Sequence, residues 1–283
     1  MNAHAAFERF LEVMLPNGGC AVALAEVYID ESYDDAEPPI LCVAGYVFRR
    51  MKAREFSKSW GNYLKRKGLP YFHMKECAHQ QGVFAGRTDC VEVETELIRL
   101  TRKMTEMGFA TTIDERAYAD LVAPREGMRS AYATALLGVM IQVRKWAEET
   151  GFNGQIAYFF EAGHKHQGDA NAFMSWMFDS DAIVAKHQYA GHAFVPKATP
   201  ALHPADLLAW QWRLETKRRR EPNRSRATRA DFLALVREDR DAYNEWTRTD
   251  LARMGRQLEA AEVQRRRIIR EALMTGEWPE LPS

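Results

Sequence analysis

The tightest constraint in this sequence is a set of short apolar runs bounded by turn residues, two of which close on a carboxylate. CAVALAEVYID (20–30) ends on Asp30, and GQIAYFFEAG (154–163) carries Glu161 directly after two phenylalanines. Runs of this length, rich in β-branched and aromatic residues, read as buried strands. ILCVAGYVF (40–48) follows the turn ESYDDAEPP, so the first two strands are expected to form an antiparallel hairpin. FATTIDERAY, from residue 109, reads as a strand with a polar end, and HQYAGHAFV (187–195) as the last strand.

Between these runs the apolar spacing changes to that of helices, over 52–67, 89–107, 128–149, 169–179 and 204–218. Gly68 and Gly151 mark helix ends, and a further helix over 3–14 stops at Pro16-Asn17-Gly18-Gly19. Strands that open as a hairpin and later alternate with helices imply an α/β fold, a mixed sheet with helices on its faces. Beyond residue 216 the composition shifts. KRRREPNRSRATR (217–229) is basic and broken by proline, and 229–245 and 247–275 read as helical. The chain therefore divides into an α/β domain over 1–216, opening on the short helix, and a basic segment with a helical tail over 217–283. The amphipathic stretch 247–275 is an expected surface for homodimer pairing.

Composition excludes more than it selects. Thirty-nine basic and 39 acidic residues cancel, so no global field draws the chain to nucleic acid or an anionic membrane. Attraction to a polyanion must come from local surface. Cys20, Cys42, Cys77 and Cys90 form no CxxC pair, which argues against a zinc ribbon or a thioredoxin-type site. Their scatter, and an N-terminus without a basic-then-apolar leader, suit a reducing cytoplasm. The apolar run 19–28 is too short to span a bilayer and contains Glu26, so no membrane partner is expected.

The acids carry the chemistry. Asp30 and Glu161 end strands, and Asp206 stands in the first turn of the helix that begins near Pro204. Each has a plainer role open to it: turn former or cap for Asp30, and a partner of the helix dipole for Asp206. Brought together at one sheet edge, however, they would repel one another and favour a hard divalent cation, Mg2+ or Mn2+. In PheHisMetLysGlu (72–76), a helical conformation places His73 and Glu76 on one face, where either can complete the site or position a water.

The pattern TyrIleAspGluSer (28–32), PheHisMetLysGlu (72–76), a strand-end acid at Glu161 and HisProAlaAspLeuLeuAlaTrp (203–210) resembles a bacterial and phage family known as domain of unknown function thirty-eight hundred. The resemblance covers roughly residues 20–215. That family is similar to the ribonuclease H-like superfamily of ribonucleases H, transposases, integrases and Holliday-junction resolvases. In the superfamily, four acids bind two metal ions for phosphodiester cleavage. They are a first-strand Asp, an acid on or near the first helix, an acid ending a central strand, and an acid on a late helix. By position Asp30 matches the first, Glu76 the second, Glu161 the third and Asp206 the fourth. Two departures stand out: Tyr33, then Asp34 and Asp35, where the family usually has Gly, and Glu161 where Asp is common.

The resemblance thus implies a metal-dependent nuclease with Asp30, Glu76, Glu161, Asp206 and His73 at its centre. Lys197 is a candidate contact to a scissile phosphate, or a surface lysine. Lys217, Arg218, Arg219 and Arg220, with Arg224, Arg226 and Arg229, would supply the nucleic-acid-binding surface. His164 or His166 is a candidate proton shuttle, or part of a solvated loop. Two other readings remain open: a non-catalytic nucleic-acid- or protein-binding module of the same fold, and a zinc protein using His73, Cys77 and one of His164 and His166.

Overall fold

The computed structural model describes residues 24–33, 39–122, 129–221, 227–260 and 265–277. The expected helix at 3–14, its terminating turn, Cys20, Asp34, Asp35, Arg224 and Arg226 lie outside the described residues.

The chain folds around one mixed sheet. Among the described residues its strands are β1 (Leu24–Ser32), β2 (Ile40–Arg49), β3 (Met107–Asp114), β4 (Gln155–Glu161), β5 (Tyr189–Val195) and β6 (Ala242–Trp246). They lie in the order β5-β4-β1-β2-β3-β6. β1 and β2 form the expected antiparallel hairpin, with Asp30 opposite Ala44. β2 is also antiparallel to β3, while β4 runs parallel to β1, β5 to β4, and β6 to β3. β2 is therefore the one strand running against the rest, and the carboxyl ends of the other five share an edge. In parallel sheets that edge is where ligands bind.

Strand alternation sends side chains to two cores. Val27, Ile29, Val43, Phe109, Tyr158 and Phe160 face a layer that includes the helices Ala131–Glu149 and Gln167–Met177. Tyr28, Cys42, Ala44, Phe48 and Phe159 face the helices Arg50–Lys67, Cys90–Met104 and His203–Arg220. The central strands are buried on both faces, which is why they read as unbroken apolar runs.

Three expectations need correction. The polar end of FATTIDERAY leaves the sheet at Asp114, whose side chain accepts the Ala117 N–H at 3.0 Å and caps a helix, Glu115–Leu121. The stretch 229–245 is not one helix. It is a short helix, Ala230–Leu235, followed by strand β6 along the sheet's edge. The tail helices Arg248–Ala260 and Arg265–Thr275 do not hold their apolar face free for a second copy. Leu251, Met254, Leu258, Ile269 and Leu273 are buried in the core of this same chain. No helix among the described residues is long and apolar enough to cross a membrane.

Candidate functional site

Asp30 and Glu161 stand one step past the last β1–β4 pair, Ile29 with Phe160, at the carboxyl edge of the sheet. Strand parity puts both on the face of Tyr28 and Phe159, under the helix His203–Arg220. Asp206 enters from the first turn of that helix, where Pro204 suits the helix start. Three acids from three separate elements thus meet over one sheet edge.

Their charges act on one another. Asp30 is 7% exposed, and its carboxyl is raised well above the usual range. Burial is the largest cause, followed by repulsion from Glu31, Asp206 and Glu161; the Glu31 N–H, 2.9 Å away, opposes these. Burial also raises Asp206, against the pull of His73, the Met74 N–H and Lys197. Glu161 is raised by burial, with Asp206 and Glu31 adding repulsion and Lys197 opposing.

The stretch 71–83 closes one side of the site. The helix Met74–His79 is only six residues long and begins with an unsatisfied N–H. Asp206 Oδ2 accepts that N–H, from Met74, at 2.5 Å, acting as a cap supplied by another helix. His73 lies between two carboxylates, with Nδ1 3.1 Å from Glu76 Oε1 and Nε2 3.6 Å from Asp206 Oδ1. Both oxygens of Glu76 are already engaged, by the Tyr71 hydroxyl at 3.2 Å and, at Oε2, by the Val83 N–H at 3.1 Å. Burial would raise Glu76, but the Val83 N–H, His73 and Lys197 outweigh it and hold the carboxyl below its usual range. The contact also explains Gly82, whose φ is +53° and where a Cβ would fall 2.1 Å from Glu76 Oε2. Lys197 completes this side, with Nζ 4.0 Å from Glu76 Oε1 and 5.2 Å from the centre of the Tyr71 ring.

Asp30, Glu76, Glu161, Asp206, His73 and Lys197 are therefore brought together. The acids share a field without closing on one point: among the described residues no three His, Cys, Asp or Glu side chains stand as ready ligands of a single ion. The basic turn fares differently. Arg218 and Arg219 pair with Glu215 at 2.6 and 2.9 Å, and Arg220 bridges Asp114 at 3.0 Å and Glu245 at 2.7 Å. Lys217 is half-buried beside them. Each of these guanidinium groups has a carboxylate partner within the chain, and the Arg219 side chain stays half exposed. Trp210 and Trp212 are core residues, Trp212 stacking on Tyr243 with ring centres 3.9 Å apart.

The zinc set is not assembled. Cys77 packs in the core beneath the Asp206 helix, its thiol donating toward the Cys90 carbonyl at 3.5 Å and pushed up by burial. His164 and His166 lie against Tyr132, in the core on the opposite face of the sheet. His164 is no solvated loop residue either: Nδ1 is 2.8 Å from Glu31 Oε1, and both side chains are 6% exposed.

Three contributors escaped the sequence reading. Glu31 alternates to the far face, where it holds His164. Arg213, 6% exposed, donates to Ser32 Oγ at 2.9 Å and ties down the end of the Asp-Glu-Ser segment. Its position seven residues after Asp206 is a helical repeat that could have pointed to it. His203 and Trp60 form the third device, joined by a 2.7 Å hydrogen bond. In comparisons with known proteins, this chain matches no family model, and no curated protein matches it.

Proposed function

We propose that the chain is a divalent-metal-dependent nuclease of the ribonuclease H-like kind, acting on the phosphodiester backbone of nucleic acid. The observation that carries this reading is the meeting of Asp30, Glu161 and Asp206, buried and mutually repelling, at the carboxyl edge of the sheet. Strand order supports it as well: an antiparallel hairpin extended by a third strand, with parallel strands added beside the first, sets a first-strand Asp next to a strand-end acid.

The donor set fits Mg2+ or Mn2+. It consists of carboxylate oxygens, which are hard ligands. Burial raises all three carboxyls, and at Asp30 repulsion from Glu31, Asp206 and Glu161 adds to it, a balance that a bound cation would relieve. Such a cation, when bound, supplies charge neutralisation at phosphorus and a more acidic water as nucleophile. Asp30, Glu161 and Asp206 would hold it. Glu76, with its oxygens already engaged, acts by orienting His73 and Lys197. His73, between Glu76 and Asp206, is placed to move a proton, and the Lys197 ammonium to face a non-bridging phosphate oxygen.

The test is a panel of labelled single- and double-stranded DNA and RNA, incubated with Mn2+, with Mg2+ and with chelator. Metal-dependent cleavage is expected, and Asp30→Asn should reduce it by on the order of 10²–10³-fold, the scale of one lost preorganised electrostatic contact. Cleavage that survives Asp30→Asn or chelation would overturn the reading. Binding without cleavage would favour the non-catalytic module instead.

A further inference from the structure

A lysine on a loop holds its ammonium only as well as its backbone is held, because four rotatable bonds separate the two. Lys197 lies in the turn after β5, before the 3-10 turn Pro200–Leu202. Within that stretch, Thr199 N–H donates to Pro196 O at 2.8 Å and Leu202 N–H to Thr199 O at 3.0 Å. Neither bond uses the Lys197 carbonyl, which accepts instead from His203 Nε2 at 3.1 Å.

The other ring nitrogen of His203 explains why that bond is fixed. Nδ1 lies 2.7 Å from Trp60 Nε1. An indole N–H can only donate, so Nδ1 must carry a lone pair and the ring proton must sit on Nε2. A carbonyl can only accept, so the Lys197 bond demands the same arrangement. Two partners from separate parts of the chain therefore select one neutral tautomer. Burial reinforces it, holding the imidazole down at about 3. Trp60 is itself immobilised, fully buried and stacked on Tyr63 with ring centres 5.4 Å apart.

Both His203 nitrogens are thus occupied away from the acids, although Asp206 follows three residues later on the same helix end. One turn of helix sets two things at once: Asp206 against the Met74 N–H and, through His203, the backbone of Lys197. We propose that His203 is a positioning residue that fixes the Lys197 ammonium as the phosphate-facing cation of the site, with Trp60 selecting its tautomer. The phosphate-facing role rests on the nuclease reading; the Trp60–His203–Lys197 clamp stands or falls separately.

The clamp is tested on the full chain by nitrogen-resolved NMR of the histidine rings. His203 is expected to carry its proton on Nε2 and to show no titration from about pH 5 to 8, well below and above the ordinary histidine range. A ring protonated on Nδ1, or one that titrates there, overturns the clamp. A second measurement is the acylation rate of Lys197 by an amine-reactive reagent, read by mass spectrometry. His203→Leu removes both bonds, and the rate should rise about tenfold, the factor given by a hydrogen bond of about 1.4 kcal/mol. His203→Gln offers a carbonyl to the indole and an amide N–H to Lys197, and should stay near the parent rate. Equal rates in all three proteins overturn the proposal. Should His203→Leu not fold, Trp60→Phe replaces it: the ring keeps only the Lys197 bond, the share of ring protonated on Nδ1 should rise above that of the parent, and an unchanged spectrum would show that Trp60 does not select the tautomer. With Mn2+ and a cleavable oligonucleotide, His203→Leu should lower kcat and His203→Gln restore it. If the parent protein cuts nothing, the nuclease reading fails while the ring spectrum and acylation rates still decide the clamp.

Discussion

At the scale of single residues, the site is defined by side chains that cost stability. Asp30 accepts the Glu31 N–H and, from a buried position, feels the repulsion of three carboxylates, Glu31, Asp206 and Glu161. Replacing it by Asn keeps an oxygen for the Glu31 N–H and removes the charge. Metal-free Asp30→Asn is therefore expected to melt a few degrees above the parent protein near neutral pH, the scale of roughly 1–2 kcal/mol in a chain of this size. The same substitution should remove any rise in Tm on adding Mn2+. A variant that gains thermal stability while losing both metal response and cleavage has the signature of a functional acid. One that loses stability in chelator would mark Asp30 as a structural hydrogen-bonding residue, and calorimetry in chelator and in Mn2+ separates the two. Gly82 shows the same economy from the other side: the turn takes a left-handed φ and leaves room for the Glu76 carboxylate that orients His73.

At the scale of elements, the tail reveals what a sequence can hide. Ala242–Trp246 becomes a strand because it is anchored, not because of its own residues, four of which are only partly buried or exposed. The anchor is Asp241, whose side chain is fully buried. It accepts the Gly108 N–H of β3 at 2.6 Å, pairs with Arg237 at 2.8 Å, and receives the Tyr243 hydroxyl at 2.9 Å. Arg237 in turn donates to the Thr105 carbonyl at 3.0 Å. Asp241→Ala leaves a buried guanidinium unpaired and should cost about 3–5 kcal/mol in urea unfolding; a loss below about 1 kcal/mol would mean that β6 docks without the ion pair. The central strands were legible because burial on both faces writes itself as an apolar run. Asp30, Glu161 and Asp206 were legible because each punctuates an element. The bonds that set the site's surroundings were not: Trp60 reaches across 143 residues to His203, and Arg213 across 181 to Ser32. No local pattern encodes such pairs. The cap at Asp114, by contrast, was available in the sequence, since a helix-favouring run follows an Asp. In the basic turn 217–220, the Glu215 partner of Arg218 and Arg219 lies within one helical turn and was legible, whereas the partners of Arg220, Asp114 and Glu245, arrive from distant elements.

At the scale of the whole molecule, a chain of zero net charge keeps an excess of negative charge at one sheet edge, and that makes stability depend on pH and metal together. An acid whose folded pKa exceeds its unfolded value takes up a proton on folding, so stability falls as pH rises through the interval between the two. Asp30, Asp206 and Glu161 are all raised, and burial with repulsion from Asp231 lifts Glu94 to about 7. Metal-free protein should therefore lose stability as pH rises out of the unfolded carboxylate range, through about 7 where Glu94 titrates, and until the raised Asp30, Asp206 and Glu161 have lost their protons. Below about pH 4 the slope should reverse. Asp231 stays ionised down to about 2, where Arg229 and Gln211 outweigh its burial, and Glu76 is likewise lowered, so the stability they contribute is lost as they protonate. On the nuclease reading, a cation held by Asp30, Glu161 and Asp206 requires all three deprotonated and binds more tightly as pH rises. Its contribution, set by the ratio of free ion to dissociation constant, grows over the interval in which the metal-free protein weakens. Melting curves in Mn2+ and in chelator should then diverge as pH rises above the ordinary carboxylate range and Asp30, Glu161 and Asp206 lose their protons, with Glu94→Gln flattening both equally because it lies outside the site. Parallel curves would show that the acids take no cation, and the repulsion at the sheet edge would then be a cost without that function.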